Sequence, residues 1–516
     1  MRTIRVYLAA LSLTFAAVSP LRAAGSESVA VQYHFAGAEQ LSHDTNFHAA
    51  GQIFHASASV HFEGLVLNRL ARQFWNKFHF DPRTNAGPTL VPILGDLLYL
   101  ESVGSFDATG DNFVVAARMD QNRTQAWRQK LDIALRGKGS AMSGITGQRW
   151  DNGFWTIEKP GWFLIGKGDR MNSVRDDYLR QIQIGASPGP ALKNGQWLAA
   201  MVDWPQLSAG NLPREIPLKP ARSTVDISAS GGRFHITAEL RYPEPVNWSP
   251  KPWRIPKELI CQPLISFTAA QGVASYMQLG DVFSKLPTDP FTEQFYCWAQ
   301  REMPFQSYMA WPVDNGAKVI KELGAKGPGI VNPILQSLDR SQVEWVPGAS
   351  EVTWKKSPIM GPFLKSVSEK EGDYLLAGLF PQGKNQSPAP AALWNQFEGH
   401  GSLVYYNWEL TGVRIHEWRL YSELMPEMLS VTGRPGPRFA EVENWLDGLE
   451  PALGNTVTEV TRTSPDTLTI TRSAPFVFTG MELVWLSHWL TGEPAGPLNM
   501  KLLPKAKITG PGILPQ

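Results

Sequence analysis

The segment that comes nearest to a recognisable chemical motif is Gly161–Gly168, GWFLIGKG, one residue short of the phosphate-cradling loop that requires Ser or Thr after its Lys. Its four middle positions are Trp, Phe, Leu and Ile, which suit a strand and not a flexible turn with inward N–H groups. A strand of a hairpin is the expectation, and no cofactor is assigned. Histidines crowd the early chain at His34, His43, His48, His55, His61 and His79, with Asp44 beside His43. Zinc needs three or four converging N, S or O ligands, and these spacings match no short ligand pattern, so no metal site is assigned. His416-Glu417 lacks the second His of a zinc-protease helix. Gly139–Gly144, GSAMSG, has the letters of a serine-hydrolase elbow in the wrong order. No catalytic residue is therefore assigned, although a carboxylate pair for glycoside hydrolysis could still converge in the fold.

Cys261 and Cys297 are the chain's two cysteines and a candidate disulfide in an oxidising compartment; the alternative is two separate buried thiols. The tryptophans offer two readings. Trp150, Trp155 and Trp162 near one hairpin, and Trp485 and Trp489 one helical turn apart, could form a sugar-stacking surface, but packing is the commoner use of so large a ring. Asp203-Trp204 and Asn407-Trp408 occupy matching places at the ends of two apolar runs, which points to a structural role such as accepting turn N–H groups.

The elements that must position these residues begin after Met1–Ala24, whose Arg2 and Arg5, apolar run and small-residue end read as a signal peptide. The mature chain is expected to be periplasmic or secreted, without a transmembrane segment. A net charge of +1 from 48 basic and 47 acidic residues gives no field to hold a polyanion, which argues against nucleic acid as partner. Strands are expected at Ser28–Phe35, Gly51–Phe62 and Phe113–Met119, and helices through Leu67–Phe78, after Asp120, and through Met171–Ile182. Hairpins are expected around Pro160-Gly161, Gly231-Gly232 and Pro465-Asp466. Gly401–Met425 reads as a strand running into a helix, with a weaker copy of the strand at Gly195–Trp204.

Tyr242–Pro256 carries five prolines and reads as the boundary between two parts. Landmarks recur in order on either side: Phe113–Met119 with Phe305–Trp311, Gly161–Asp169 with Gly372–Phe380, Gly195–Trp204 with Gly401–Trp408, and Thr224 with Thr456. The expected fold class is α+β, as two tandem, divergently duplicated lobes, each a mostly antiparallel sheet covered by helices. The boundaries are 1–24 for the signal, 25–248 and 249–498 for the lobes, and 499–516 for an extended tail rich in Pro and Gly.

On Trp253–Tyr276, Gly401–Trp408 (GSLVYYNW) and Gly454–Glu459 (GNTVTE), the chain resembles a family of uncharacterised secreted or periplasmic proteins of environmental Gram-negative bacteria. More distantly it is similar to periplasmic proteins of unknown function with repeated α+β units. The resemblance implies export and carries no active-site residue. The functional expectation is a non-enzymatic envelope or secreted protein that binds a hydrophobic ligand, a polysaccharide or a protein partner. The alternatives are a glycan-directed hydrolase and a structural component of a surface assembly.

Overall fold

A computed structural model describes residues 29–47, 51, 56–81, 83–137, 139–143, 145–207, 220–246, 250–272, 293–301, 306–337, 344–347, 351–355, 361–383, 386–398, 400–428 and 440–491. The expected signal peptide and C-terminal tail, and the histidines at 48 and 55, lie outside the described residues. The chain divides into two compact units, 1–247 with 439–477, and 248–438 with 478–516.

In the part of the first unit before residue 248, the strands are β1 (Val31–Phe35), β2 (Ser102–Phe106), β3 (Phe113–Arg118), β4 (Ser140–Ala141), β5 (Gly147–Arg149), β6 (Phe154–Lys159), β7 (Trp162–Lys167), β8 (Gln196–Asp203), β9 (Arg222–Ser230) and β10 (Arg233–Arg241). Its longer helices are α1 (Ser57–Lys77), α2 (Ala86–Tyr99), α3 (Gln121–Ala134) and α4 (Asn172–Gln183). The ladder runs β4-β5-β6-β7-β3-β2-β1-β8-β9-β10, antiparallel throughout. Alternation along β3 sends Val114 and Ala116 to a core shared with Trp155, Ile157, Leu164 and Tyr178 of α4. Phe113 points the other way, into a ring cluster with Phe78, Phe106 and Phe154. The centre of this sheet is thus buried on both faces. Asp120 caps α3 by accepting the Arg123 N–H at 2.8 Å. Gly51–Phe62, expected as a strand, enters α1 at Ser57: Ser59, Phe62, Val66, Leu70 and Phe74 are buried at helical spacing.

The second unit holds β11 (Leu264–Gln271), β12 (Gln294–Gln300), β13 (Ser307–Val313), β14 (Glu344–Pro347), β15 (Glu351–Lys355), β16 (Phe363–Glu369), β17 (Gly372–Gly378) and β18 (Leu403–Leu410). They pair antiparallel in the order β14-β15-β16-β17-β13-β12-β11-β18. Asn315 caps α5 (Gly316–Ser337) through the Lys318 N–H at 3.0 Å. Val319, Ile320 and Leu323 of α5 pack on Val313, Val352, Leu364 and Leu375. The stretch Gly401–Met425 forms β18 and then α6 (Thr411–Met428).

The two tandem, divergently duplicated lobes do not form. The strands belong to one large antiparallel sheet, and the compact units are not consecutive halves. The hairpin β19 (Asn455–Ser464) and β20 (Thr467–Ala474), expected to close the second lobe, pairs with β10 of the first unit, Phe234 opposite Ala474 and Arg241 opposite Thr467. Arg233 reinforces that register by donating to Ser473 Oγ and O and to Asn455 O. Helix α7 (Ala440–Leu449) accompanies the hairpin into the first unit, where Trp445 stacks on Phe62 of α1 at 4.2 Å and 9°. Helix α8 (Gly480–Thr491) packs on α6 in the second unit. Local sequence order had suggested a repeat; pairing across 240 residues decided the sheet.

Candidate functional site

The proline-rich segment expected to be a linker is shared between the units. Tyr242 and Val246 are buried in the first, with N–H groups on Asp466 O and Pro465 O of the β19–β20 turn. Residues 250–256 belong to the second and form one wall of a recess.

Proline withholds N–H groups, so this wall cannot join a ladder, and its remaining backbone groups need other partners. Buried glutamines supply them. Gln271 of β11 accepts the Lys251 N–H at 2.8 Å and donates to Leu403 O at 2.8 Å. Gln294 of β12 accepts the Arg254 N–H at 2.9 Å and the Tyr296 hydroxyl at 2.8 Å, and donates to Pro252 O at 2.7 Å. Further along, Gln300 donates to Cys261 O and Gln382 to Leu259 O. Amide side chains from the sheet thus replace strand pairing and hold Lys251–Arg254 against the end of β11 and the start of β12.

The recess has a volume of about 610 Å³ and is lined by Pro250–Trp253, Ile255, Lys257, Glu371, Trp394, Phe397, Glu398, His400 and Gly401. Its aromatic side is anchored on the sheet. Phe397 meets Trp253 at 5.3 Å and Tyr406 of β18 at 5.1 Å, while Trp394 meets Phe267 of β11 edge-on at 5.5 Å. The Trp253 indole N–H meets no acceptor among the described residues. Lys251, Glu371, Glu398 and His400 are exposed and Lys257 is half-buried, so both signs of charge ring the aromatic floor.

Beside the recess, Glu369 at the end of β16 has its carboxyl pushed up by burial and by a hydrogen bond and repulsion from Glu258. A carboxyl pair in direct hydrogen bond is too close for the roughly 5 Å or more that glycoside hydrolysis requires. Tyr374 of β17 is fully buried, and burial pushes its hydroxyl up to about 12.

The residues singled out in the sequence are dispersed. Gly161–Gly168 lies in the β6–β7 hairpin. Trp150, Trp155 and Trp162 are buried, with Arg118 over the Trp162 ring at 5.1 Å, so they form no sugar platform. Asp203 accepts the Gln206 N–H at 3.2 Å, whereas Asn407 accepts the Thr268 hydroxyl of β11 at 2.8 Å. Glu417 is buried and ion-paired with Arg414, while His416 is exposed. His34 is buried on β1 and paired with Glu101 at 3.1 Å. Among the described residues, no group of three or more His, Cys, Asp or Glu gathers as a metal site. The candidate bridge is not made: Cys297 on β12 and Cys261, which bridges to Pro388, are free, and burial pushes both thiols up.

Trp253, Lys257, Glu371, Trp394 and Phe397 were missed as site residues. Glutamines inside otherwise apolar strands were the available signal, since a buried amide implies a backbone partner elsewhere.

No protein-family model matches the chain, and no curated protein does. Solved structures similar to it include crystal forms I, IV and III of TP0453, at 13%, 12% and 11% identity. They cover 44%, 44% and 45% of this chain and 78%, 79% and 82% of the other, each at a TM-score of 0.22. Among the described residues, no helix is long and apolar enough to cross a membrane.

Proposed function

We propose that the protein is a non-enzymatic binding protein of the cell envelope or the exterior, and that the recess of the second unit takes a short segment of a glycan. The observation that carries this reading is an aromatic floor ringed by Lys251, Lys257, Glu371, Glu398 and His400. A pyranose has an apolar face for Trp253 and a periphery of hydroxyls that both donate to carboxylates and accept from lysines. A purely hydrophobic ligand would desolvate that charged rim without replacing its hydrogen bonds. A volume of about 610 Å³ suits a small ligand, whereas a stable protein interface needs about 800 Å² on each partner.

The test is tryptophan-fluorescence titration of the mature chain with cello-, malto- and chito-oligosaccharides of two to four units, with decanoate as the apolar control. Saturable binding of one saccharide series, abolished by Trp253→Ala, is expected. Saturation by decanoate alone would overturn the glycan assignment.

The second reading is a glycan-directed hydrolase, favoured by the presence of Glu371 and Glu398 on one recess. Turnover of the bound oligosaccharide that is lost in both Glu371→Gln and Glu398→Gln would establish it in place of simple binding.

A further inference from the structure

The rim of the recess in the second unit is divided by charge. Its proline-rich wall, Pro250–Lys257, carries Lys251, Arg254 and Lys257 and no acid, whereas Glu371 comes from the β16–β17 turn and Glu398 from the stretch after Trp394. Arg254 is committed to the fold: its Nε donates to Glu371 O at 3.4 Å and its Nη1 lies 4.0 Å from Asp314. The turn is glycine where that guanidinium rests on it, since Gly372 has φ of +128° and a Cβ there would stand 2.3 Å from Arg254 Nη2. The other four rim charges are left over. Among the described residues, Lys251, Lys257, Glu371 and Glu398 make no ion pair.

Two lysines and two carboxylates cancel, so together they exert no long-range pull on a polyanion or a polycation. Selection has to come from short-range contacts. A neutral sugar would displace water from all four charges and return only hydroxyls. An anion would suit the lysines and meet the carboxylates; a cation would do the reverse. A ligand with one charge of each sign offers both sets a charge-assisted partner, and such bonds are roughly twice as strong as neutral ones. The rings favour the cationic half. Trp253 and Phe397 meet at 80° with centroids 5.3 Å apart, which makes a corner of two ring planes next to Glu398 in the chain, and an ammonium is attracted to a ring face.

Given a recess that takes a glycan, as proposed above, we infer that it selects a zwitterionic amino sugar, a unit with a free ammonium and a carboxylate on one pyranose. Trp253 and Phe397 receive the ring, Glu371 and Glu398 the ammonium, and Lys251 and Lys257 the carboxylate.

Four related sugars test this by tryptophan-fluorescence titration of the mature chain at about pH 6, where an amine of the α-amino kind is charged. Muramic acid has both charges, N-acetylmuramic acid only the carboxylate, glucosamine only the ammonium and N-acetylglucosamine neither. Muramic acid is expected to bind roughly two- to fivefold more tightly than either singly charged sugar, the value of one exposed ion pair, and N-acetylglucosamine is expected to bind weakest. Glu371→Gln combined with Glu398→Gln should erase its advantage over N-acetylmuramic acid, and Lys251→Gln combined with Lys257→Gln its advantage over glucosamine. Should either double variant fail to fold, salt decides in the wild-type protein: the ranking should collapse as ionic strength approaches about 1 M. Equal binding of all four sugars that is lost in Trp253→Ala leaves the recess a glycan site and overturns the selection. Tightest binding by a singly charged sugar, or a ranking that survives both double variants or high salt, overturns it too. So does binding of neutral oligosaccharides without Trp253-dependent binding of muramic acid; if those oligosaccharides also fail to bind, the glycan reading falls with it.

Discussion

Gln294 does for Pro252 what a neighbouring strand would do: it donates to Pro252 O at 2.7 Å and accepts the N–H of Arg254, two residues on, at 2.9 Å. Truncation would leave buried backbone groups without partners, at about 1–3 kcal/mol each. Gln294→Ala is therefore expected to lower the unfolding midpoint of the second unit and weaken ligand binding in the recess. Gln294→Glu, which keeps both acceptors and loses the donor to Pro252, should fall between; calorimetry and fluorescence titration read both effects.

Trp445 is fully buried against Phe62, so the stack carries much of the hold of α7 on α1. Trp445→Ala is expected to cost about 3–5 kcal/mol, the usual range for emptying a large aromatic site in a core. Limited proteolysis should then cut within 440–449 before the β11–β12 region. An unchanged midpoint and cleavage pattern would remove the structural basis for placing 439–477 in the first unit.

Glu409 of β18 is buried beneath the first turn of α8 and accepts the Gly480 N–H at 2.7 Å. Burial pushes its carboxyl up, against the favourable effects of Gly480, Arg414 and Thr411. A raised folded value means that the native state holds its proton longer than the unfolded chain. Stability from this group therefore falls as pH rises from the unfolded value to the folded one. Glu409→Gln, which keeps an acceptor for Gly480, should flatten that decline in pH-dependent urea unfolding; Glu409→Ala should lose about 1–3 kcal/mol at all pH values.

Glu101 has the opposite sign. Its folded value is lowered, so it contributes stability above its unfolded value that is lost as pH falls through the folded one. Glu101→Gln is expected to reduce acid sensitivity in that window while lowering the midpoint at neutral pH.

On β2, Gly104 faces Tyr33, and a Cβ there would lie 2.2 Å from the ring. Gly104→Ala should destabilise the first unit by about 1–3 kcal/mol, the usual cost of overpacking, read from thermal unfolding.

Much of this architecture was legible locally. Asp120 and the apolar spacing after it mark α3, Pro160-Gly161 marks the β6–β7 turn, and Gly401–Met425 reads as strand then helix. Residues 51–62 misled because their apolar positions suit either period, and the helix through Phe62 and Leu67 begins at Ser57. The repeated landmarks predicted separate lobes because they record order along the chain, whereas the partner of Ala474 is Phe234, far away in sequence. The recess was invisible for the same reason: prolines signalled the absence of a regular element at 250–256, and only the folded positions of Gln271 and Gln294 show that the segment is held as a wall.

Ligand binding belongs, on this reading, to the recess between Pro250–Lys257 and Trp394–Gly401. Its most direct test is the hydrogen-exchange footprint of the saccharide with the highest affinity on the mature chain. Protection confined to 250–257, 371 and 394–401, and lost with Trp253→Ala in parallel with at least a roughly tenfold weaker Kd, is the predicted result. A footprint elsewhere, or binding unaffected by Trp253→Ala, would contradict it.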